Sequence, residues 1–262
     1  VLEVETTVRD EHDGHLVDSN ATLIPTSGAG GRRLDDGSVI RVLWLHSRNS
    51  TARWTKSNIR AKILANAGVA NQVLSNSGAG FKLEVAAIRE APYYETDLIS
   101  ALGDLNAGRI PRVNAWRDEF RADLVQLYVE DGSSFCGYGN ILTTASSSFS
   151  GLAFSVTNTV CATVLFSHVH EIGHNMGLLH NREDAGSATS WPYGYGWRYC
   201  DDGRTAPPYF RSVMSYSCNS ATRVPYFSSP HVFYNGVPTG NSGADNVRVL
   251  QKTRTVVANF RH

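Results

Sequence analysis

Two kinds of periodicity divide the first part of the chain into strands and helices. Residues 39–46 are almost continuously apolar, which predicts a strand that is buried on both faces. Residues 57–75 carry apolar side chains at helical spacing, with Ser57 as the expected N-cap. Residues 81–88 alternate between apolar and polar side chains and predict a half-buried strand. The pattern therefore begins as strand, helix, strand.

The next elements continue this alternation. Short helices are expected at residues 97–105 and 114–121. Further strands are expected at residues 123–130 and 152–156. Strands separated by helices favour a twisted mixed sheet with helices packed on it.

One helix and several loops dominate the later part of the chain. Residues 161–177 are expected to form a helix with a core-facing side. Residues 181–226 are rich in Gly, Pro, Tyr and Trp, show little periodicity, and predict an irregular region. Helical spacing returns at residues 244–260, which predicts a closing C-terminal helix.

The same pattern suggests how the chain is organised into domains. Residues 1–36 are polar with few periodic apolar positions, and predict an irregular N-terminal arm or a pro-segment remnant. Residues 37–262 then form the main domain, with an upper lobe over about 37–180 and a lower lobe over about 181–262. Because the chain begins at Val1 without a signal-peptide pattern, we expect a mature form.

Charge and hydropathy narrow the classes of partner. Lys and Arg total 24, as do Asp and Glu, so the formal net charge is zero, and no basic run stands out. Nothing here indicates nucleic acid or an anionic membrane surface. No apolar segment approaches the length of a membrane span. We therefore expect neither nucleic acid nor a membrane as a partner.

The cysteines indicate an oxidising compartment. There are 4, in an even and widely spaced set that is typical of disulfides in secreted proteins. Three connectivities are possible. Pairing Cys136 with Cys161 and Cys200 with Cys218 is preferred, since each bond closes a moderate loop. Four buried free thiols remain the alternative.

The strongest chemical pattern lies in residues 169–181. His170 and His174 are four residues apart, so a helix places both imidazoles on one face. Glu171 can reach a metal-bound water without being a ligand. Gly177 can end the helix with a positive φ and return His180 to the same metal. Three histidines leave one coordination position for water, as in catalytic zinc sites.

This eleven-residue pattern, H-E-x-x-H-x-x-G-x-x-H, resembles the zinc-binding consensus of the metzincin metallopeptidases. The same group carries a methionine turn downstream, which Met214 in S-V-M-S-Y resembles. The resemblance implies an α+β fold with an α/β-type upper lobe. A twisted, mixed five-stranded sheet with helices would lie above a loop-rich lower lobe and a C-terminal helix, with the active-site cleft between them.

Further local matches narrow the resemblance. They include V-L-W-L at residues 42–45, A-F-S-V at residues 153–156, Y-G-Y-G at residues 193–196 and V-A-N-F-R at residues 257–261. Together they are similar to the bacterial peptidyl-Asp metallopeptidases, a reprolysin-like branch, over about residues 38–261. Asn181 departs from the branch, which usually has Asp after the third histidine.

The resemblance also implies a protein or peptide substrate, a monomer, and roles for individual residues. Glu171 would be the general base, and Tyr216 would either donate to the tetrahedral intermediate or only pack. The strand before the zinc helix would be the antiparallel edge that pairs with substrate, which points to Ala153, Phe154 and Ser155.

Cleavage on the amino side of Asp would require a cation just past the scissile bond. Arg223 is the best-placed candidate, with Arg198 and Arg211 behind it, and a surface or structural arginine is the alternative.

Three functions remain open at this stage. The first is a secreted zinc endopeptidase with a preference for Asp, and the second is a metzincin protease of broad specificity. The third is a non-catalytic adhesive or toxin-like module that keeps zinc for stability, against which the intact Glu171 counts. Calcium is possible but not placed, because the acidic residues are too scattered to define a site.

Overall fold

The structure, a computed structural model, describes residues 34–131, 135–185, 189–201, 203 and 206–261. The expected arm at residues 1–36 lies outside the described residues apart from its last three positions. No helix among the described residues is long and apolar enough to cross a membrane.

A five-stranded mixed sheet forms the centre of the fold, as expected. Its strands are β1 (Val39–His46), β2 (Lys82–Glu90), β3 (Leu124–Val129), β4 (Gly137–Gly139) and β5 (Phe154–Asn158). Their order is β2-β1-β3-β5-β4. The first four strands in this order are parallel, and β4 runs antiparallel to β5. The sheet therefore has one antiparallel edge.

Helices cover both faces of this sheet. In the described part of the chain they are α1 (Arg48–Trp54), α2 (Lys56–Asn76), α3 (Leu98–Asn106), α4 (Val113–Glu119), α5 (Cys161–Val164), α6 (Ser167–Asn175) and α7 (Asn246–Val257). The sequence did not predict α1, since its polar residues lack helical periodicity. It placed the N-cap of α2 at Ser57, whereas Thr55 accepts from the Asn58 amide instead.

The alternation of side chains along β1 explains its continuous apolar run. Ile40, Val42 and Trp44 face a core shared with α2, α6 and α7. Leu43 and Leu45 face a second core shared with α3 and α4. Both faces are therefore buried, which is the usual reason for an uninterrupted hydrophobic strand.

The prediction of which strand forms the edge of the sheet is wrong. Residues 152–156 were expected to form the edge, but β5 lies between β3 and β4 and pairs on both sides. Ala153 and Ser155 are 0% exposed and Phe154 is 3% exposed, so none of them can pair with substrate. The edge is β4, a three-residue strand within a Gly- and Ser-rich stretch that has no hydrophobic pattern.

The helix expected at residues 161–177 is divided. Phe166 adopts φ 54°, a left-handed conformation that ends α5 and begins α6. The second part, α6, carries His170 and His174 and ends at Asn175. Every residue of α6 is buried. It packs between the sheet and α7, where the Thr253 hydroxyl donates to the Met176 carbonyl.

The lower part of the chain is built from loops and very short strands, as expected. The strands are β6 (Leu179–Asn181), β7 (Tyr195–Gly196), β8 (Arg198–Tyr199), β9 (Phe210–Arg211), β10 (Thr222–Arg223), β11 (Phe233–Tyr234) and β12 (Val237–Pro238).

The disulfides follow the nearest-neighbour pairing. Cys136 bonds to Cys161, and Cys200 bonds to Cys218. The first bond ties Cys136, directly before β4, to the start of α5. The second ties Cys200, directly after β8, to Cys218 in the loop after Met214.

Two adjacent residues of α2 test the assignment of the core. Ile63 is 0% exposed and Leu64 is 53% exposed. Ile63→Ala is expected to lower the free energy of unfolding by about 2–5 kcal/mol, because it leaves a cavity. Leu64→Ala removes a solvent-facing side chain and should change it by less than about 0.5 kcal/mol. Urea denaturation measures both, and equal losses would contradict the helix orientation.

Candidate metal centre and active-site cleft

Three imidazoles converge on one point at the end of α6. The Nε2 atom of His180 lies 3.1 Å from the Nε2 atoms of both His170 and His174. Among the described residues these histidines form the only group of three or more possible metal ligands, with ligating atoms within 4.8 Å of one another. The calcium possibility gains no support from the described residues.

Gly177 returns the chain so that His180 reaches this point. Its φ is 93°, a conformation that side-chain-bearing residues rarely adopt. The Leu178 amide donates to the Gly173 carbonyl, which closes the helix end. A Cβ atom at position 177 would lie 2.5 Å from the Trp191 ring. Both the turn and the close packing therefore require glycine here.

Backbone carbonyls fix the orientation of the first two rings. His170 Nδ1 lies 2.9 Å from the Val213 carbonyl, and His174 Nδ1 lies 2.8 Å from the Leu178 carbonyl. A carbonyl can only accept, so each Nδ1 carries the proton and each Nε2 presents a lone pair. These partners are the outer groups that commonly orient metal-binding histidines.

The rings are neutral at physiological pH. Burial lowers the pKa of His174 to about 3 and that of His180 to about 4. Burial also holds the pKa of His170 well below its usual range, with the neighbouring His174 adding to the effect. Neutral imidazoles with converging lone pairs repel each other unless a cation lies between them.

The spacing of the nitrogens fits zinc. Zn–N bonds of about 2.0–2.1 Å in tetrahedral geometry separate neighbouring nitrogens by about 3.3 Å. The two Nε2 separations of 3.1 Å are close to that value. The residues present could therefore hold a zinc ion with three protein ligands.

Glu171 lies beside this group and against the edge of the sheet. Its side chain is 5% exposed. A Cβ atom at Gly137 of β4 would lie 2.6 Å from Glu171 Cγ and Oε1, so β4 leaves room for the carboxylate only with glycine there. Burial raises the pKa of Glu171 to about 8, while the charge of Arg223 acts in the opposite direction.

The methionine turn supports α6 from below. Met214 is fully buried, and a Cβ atom at Gly173 would lie 2.7 Å from its sulfur atom. The preceding Val213 supplies the carbonyl that orients His170. The turn thus positions α6 through the contact with Gly173 and orients the His170 imidazole through the Val213 carbonyl.

An open cleft of about 690 Å³ runs over this centre. The β4 edge forms one wall, and residues after Met214 form the other. Tyr216 is 45% exposed, and its ring centroid lies 4.3 Å from that of His180. Arg211 and Arg223 also line the cleft.

The structure thus brings most of the sequence-predicted site residues into one cleft: His170, Glu171, His174, His180, Tyr216 and Arg223. Ala153, Phe154 and Ser155 lie outside it. Sequence reasoning missed the β4 edge and placed Arg211 only behind Arg223. The Gly-Tyr-Gly run after Cys136 was the available signal for the edge.

Comparison with known proteins decides the family. Residues 38–244 match the family described as reprolysin-like metallopeptidases of family M12B. The chain belongs to this family. The family assignment agrees with the five-stranded mixed sheet and with the histidine group.

Curated relatives of this reprolysin-like chain carry one name. A peptidyl-Asp metalloendopeptidase of Xanthomonas campestris is 33% identical over 233 residues, which cover 86% of this chain and 52% of the relative. A peptidyl-Asp metalloendopeptidase of Stenotrophomonas maltophilia is 32% identical over 232 residues, covering 86% and 53%. The chain therefore spans about half the length of these relatives.

A solved structure shares the fold. The structure titled "Structure of a chaperone-substrate complex" gives a TM-score of 0.67 at 20% identity, covering 86% of this chain and 35% of that chain. This likeness concerns the fold alone.

Asn181 is matched to its surroundings in this reprolysin-like chain. Its amide oxygen accepts from the Tyr216 amide at 3.0 Å. Its NH₂ group donates to Glu183 at 2.7 Å and to Asp184 at 2.8 Å. An aspartate could not make the last two bonds. Asn181, which directly follows His180, therefore links Glu183 and Asp184 to the Tyr216 backbone at the end of the methionine turn.

Asn181→Asp tests this connection. The variant replaces two donors with a carboxylate that faces Glu183 and Asp184. Groups behind metal ligands typically change metal affinity about 10- to 100-fold, so we expect zinc retention against a chelator to fall by that order. Asn235→Asp, in an exposed turn, is the matched control. Equal zinc retention in both variants and the wild type would show that Asn181 does not support the site.

Proposed function

We propose that this chain contains the catalytic domain of a zinc-dependent endopeptidase. The observation that carries the proposal is the convergence of three neutral imidazoles beside a buried carboxylate in an open cleft. Membership of a metallopeptidase family supports it. The names of the relatives support it further.

The chemistry of the site follows from its residues. A zinc ion, when bound, supplies Lewis-acid polarisation of a water molecule and of the scissile carbonyl. Glu171 does not belong to the histidine group, and a cation held by that group would favour its ionised form, which is the form that can act as a base. Glu171 accepts a proton from the attacking water and returns it to the leaving amine nitrogen.

The substrate backbone pairs with β4. Within the described residues β4 has a strand partner on one side only, which is β5. Its other edge borders the cleft through residues 137–139. An extended peptide can add to such an edge by backbone hydrogen bonds. This assignment replaces the one made from sequence for residues 153–155.

Tyr216 is proposed as a donor to the oxyanion of the tetrahedral intermediate. Its half-exposed ring beside His180 does not behave like a core residue. Burial of the hydroxyl and the nearby charge of Glu171 raise the pKa of Tyr216, so the hydroxyl keeps its proton at neutral pH. A protonated phenol is able to donate to a developing negative charge.

Preference for Asp on the carboxyl side of the scissile bond is part of the proposal. Relatives of this chain are named peptidyl-Asp metalloendopeptidases. Arg223 lines the same cleft as the three histidines. A guanidinium there suits an acidic side chain next to the reacting bond. The alternative is a reprolysin-like peptidase of broad specificity.

The non-catalytic alternative explains less of the site. A zinc ion held only for stability is usually enclosed by four protein ligands. Here three imidazoles border an open cleft of about 690 Å³. Zinc content together with casein cleavage, with and without a chelator, separates the two functions.

Location and oligomeric state complete the proposal. Two disulfides in the described residues suit an oxidising environment, which supports secretion. Action as a monomer is part of the proposal.

Glu171→Gln tests the general base. The amide keeps the shape of the side chain but cannot accept the proton, so kcat/KM should fall about 10²- to 10⁴-fold. Bound zinc, measured by mass spectrometry, should stay at one ion per chain. Glu119→Gln, at an exposed position of α4, is the control and should keep full activity. Peptidase activity of Glu171→Gln near the wild-type level would remove Glu171 from this role.

Tyr216→Phe tests the proposed oxyanion donor. Removing the hydroxyl should lower kcat about 10- to 100-fold while KM changes little, because the bond forms only in the transition state. Steady-state kinetics on a single peptide gives both constants. An unchanged kcat would leave Tyr216 with a packing role only.

A further inference from the structure

A small sheet places three arginines in one row. The order of its strands is β10-β9-β8. Arg211 on β9 is the direct partner of Arg198 on β8 and of Arg223 on β10. Direct partners on neighbouring strands project to the same face of a sheet. The three arginines therefore project from one face of this small sheet, and two of them, Arg211 and Arg223, line the cleft.

The three arginines differ in their partners. Arg198 forms ion pairs with Glu183 at 3.4 Å and Asp184 at 2.9 Å. No carboxylate of the described residues forms an ion pair with Arg211 or Arg223. The arginine pair, Arg211 and Arg223, is thus the part of the row whose charge is not neutralised.

One backbone carbonyl fixes the arginine pair at the cleft wall. The Ser215 carbonyl, directly after Met214, accepts from Arg211 Nη1 at 2.6 Å and from Arg223 Nη2 at 3.1 Å. Arg223 Nη1 also donates to the Leu165 carbonyl at 2.5 Å, so both of its terminal nitrogens are held by backbone.

Arg211 keeps donors that the protein does not use. The side chain is nine-tenths buried, with 9% of the residue exposed. Its Nε atom is buried without a hydrogen-bond partner, as is the Nε atom of Arg223, so the difference between the two lies in their terminal nitrogens. Its Nη2 atom has no hydrogen bond to the described residues, and the residue lines the same cleft as the histidines.

We propose that the arginine pair forms the subsite for an acidic side chain of the substrate. Arg211 is the residue that contacts the carboxylate, and Arg223 is a positioning residue that also supplies a second positive charge. The inference rests on the proposed peptidase function, and it assigns the main recognition to Arg211 instead of Arg223.

The chemistry of the pair favours a carboxylate over a neutral side chain. Two partly buried guanidiniums that form no ion pair with a carboxylate of the described residues repel each other, and an incoming anion relieves that repulsion. Planar guanidinium donors match the two oxygens of a carboxylate. Asn, the isosteric amide, has one acceptor oxygen and no charge. Its NH₂ group would face the guanidinium donors, with which it cannot form hydrogen bonds. Discrimination between Asp and Asn should therefore be large.

Matched peptides test the inference through activity. Two peptides differ only in carrying Asp or Asn directly after the scissile bond, and the ratio of their kcat/KM values is measured. Wild type should favour Asp. Arg211→Gln should lower this ratio about 10- to 100-fold, because a charged hydrogen bond is lost. Arg211→Lys should recover part of the ratio, since it keeps the charge without the planar fork.

Arg198→Gln is the matched control. In the wild type Arg198 lies in the same row but already forms ion pairs with Glu183 and Asp184. Whatever the variant does to the rate, the Asp/Asn ratio should stay within about 3-fold of wild type, since its charge is already neutralised. A ratio that falls as far in Arg198→Gln as in Arg211→Gln would overturn the assignment.

A binding measurement tests the inference without catalysis. Succinate, a small dicarboxylate, is titrated into the zinc-bound protein while Tm is recorded. A ligand that binds the folded state raises Tm with concentration. Wild type and Arg198→Gln should show the rise, and Arg211→Gln should not. Arg223→Gln should also lose it, and its own Tm reports whether the variant is folded.

The two measurements separate the failure of this inference from that of the proposed function. A wild type that cleaves no peptide but shows an Arg211-dependent Tm rise would support the acidic subsite and contradict the peptidase. An active wild type with equal Asp and Asn rates and no Arg211-dependent rise would contradict the subsite and leave the peptidase intact. An Arg211→Gln protein that is folded and keeps the wild-type ratio would also overturn the inference.

Discussion

The site depends on the convergence of three imidazoles, two of which are oriented by hydrogen bonds from Nδ1 to backbone carbonyls. The Val213 and Leu178 carbonyls hold two of the rings, and Gly177 returns His180 to them. Nε2 atoms 3.1 Å apart with their lone pairs converging repel each other, and a cation between them turns this arrangement into a favourable one. The methionine turn packs closely against α6, and its Val213 carbonyl holds the His170 ring in this orientation. Backbone groups thus orient the imidazoles of the site.

The close approach of β4 to Glu171 is the second constraint. The edge strand lies so near the carboxylate that a side chain at Gly137 would overlap it. The same proximity brings a backbone edge, the imidazoles and the Glu171 carboxyl group into one cleft. Recognition of an extended peptide and proton transfer would then occur on adjacent surfaces, and the Cys136–Cys161 disulfide ties the strand to the segment before α6.

Sequence predicts the parts of the fold that are long and regular. The continuous apolar run of β1 and the helical spacing of α2 each identify an element, because burial on a sheet or along a helix face imposes a period. Short elements without a period were missed or misplaced. Three-residue β4 exists through its pairing with β5, so residues 153–155 were wrongly placed at the edge. The break at Phe166 likewise has no local pattern.

The candidate site shows the same division. The motif places the three histidines and Glu171 together because their spacing acts through one helix and one turn. The arginine pair arises from the register of two-residue strands that are far apart from α6 in sequence, which no local pattern reveals. The partners of Asn181 include acids two and three residues later, but their positions depend on the loop.

Zinc K-edge X-ray absorption on the purified protein tests the central claim most directly. One zinc ion per chain should show three imidazole nitrogens and one further light atom at about 2.0–2.1 Å. Fewer than three imidazoles, a sulfur atom at about 2.3 Å, or no bound zinc would contradict a site formed by His170, His174 and His180.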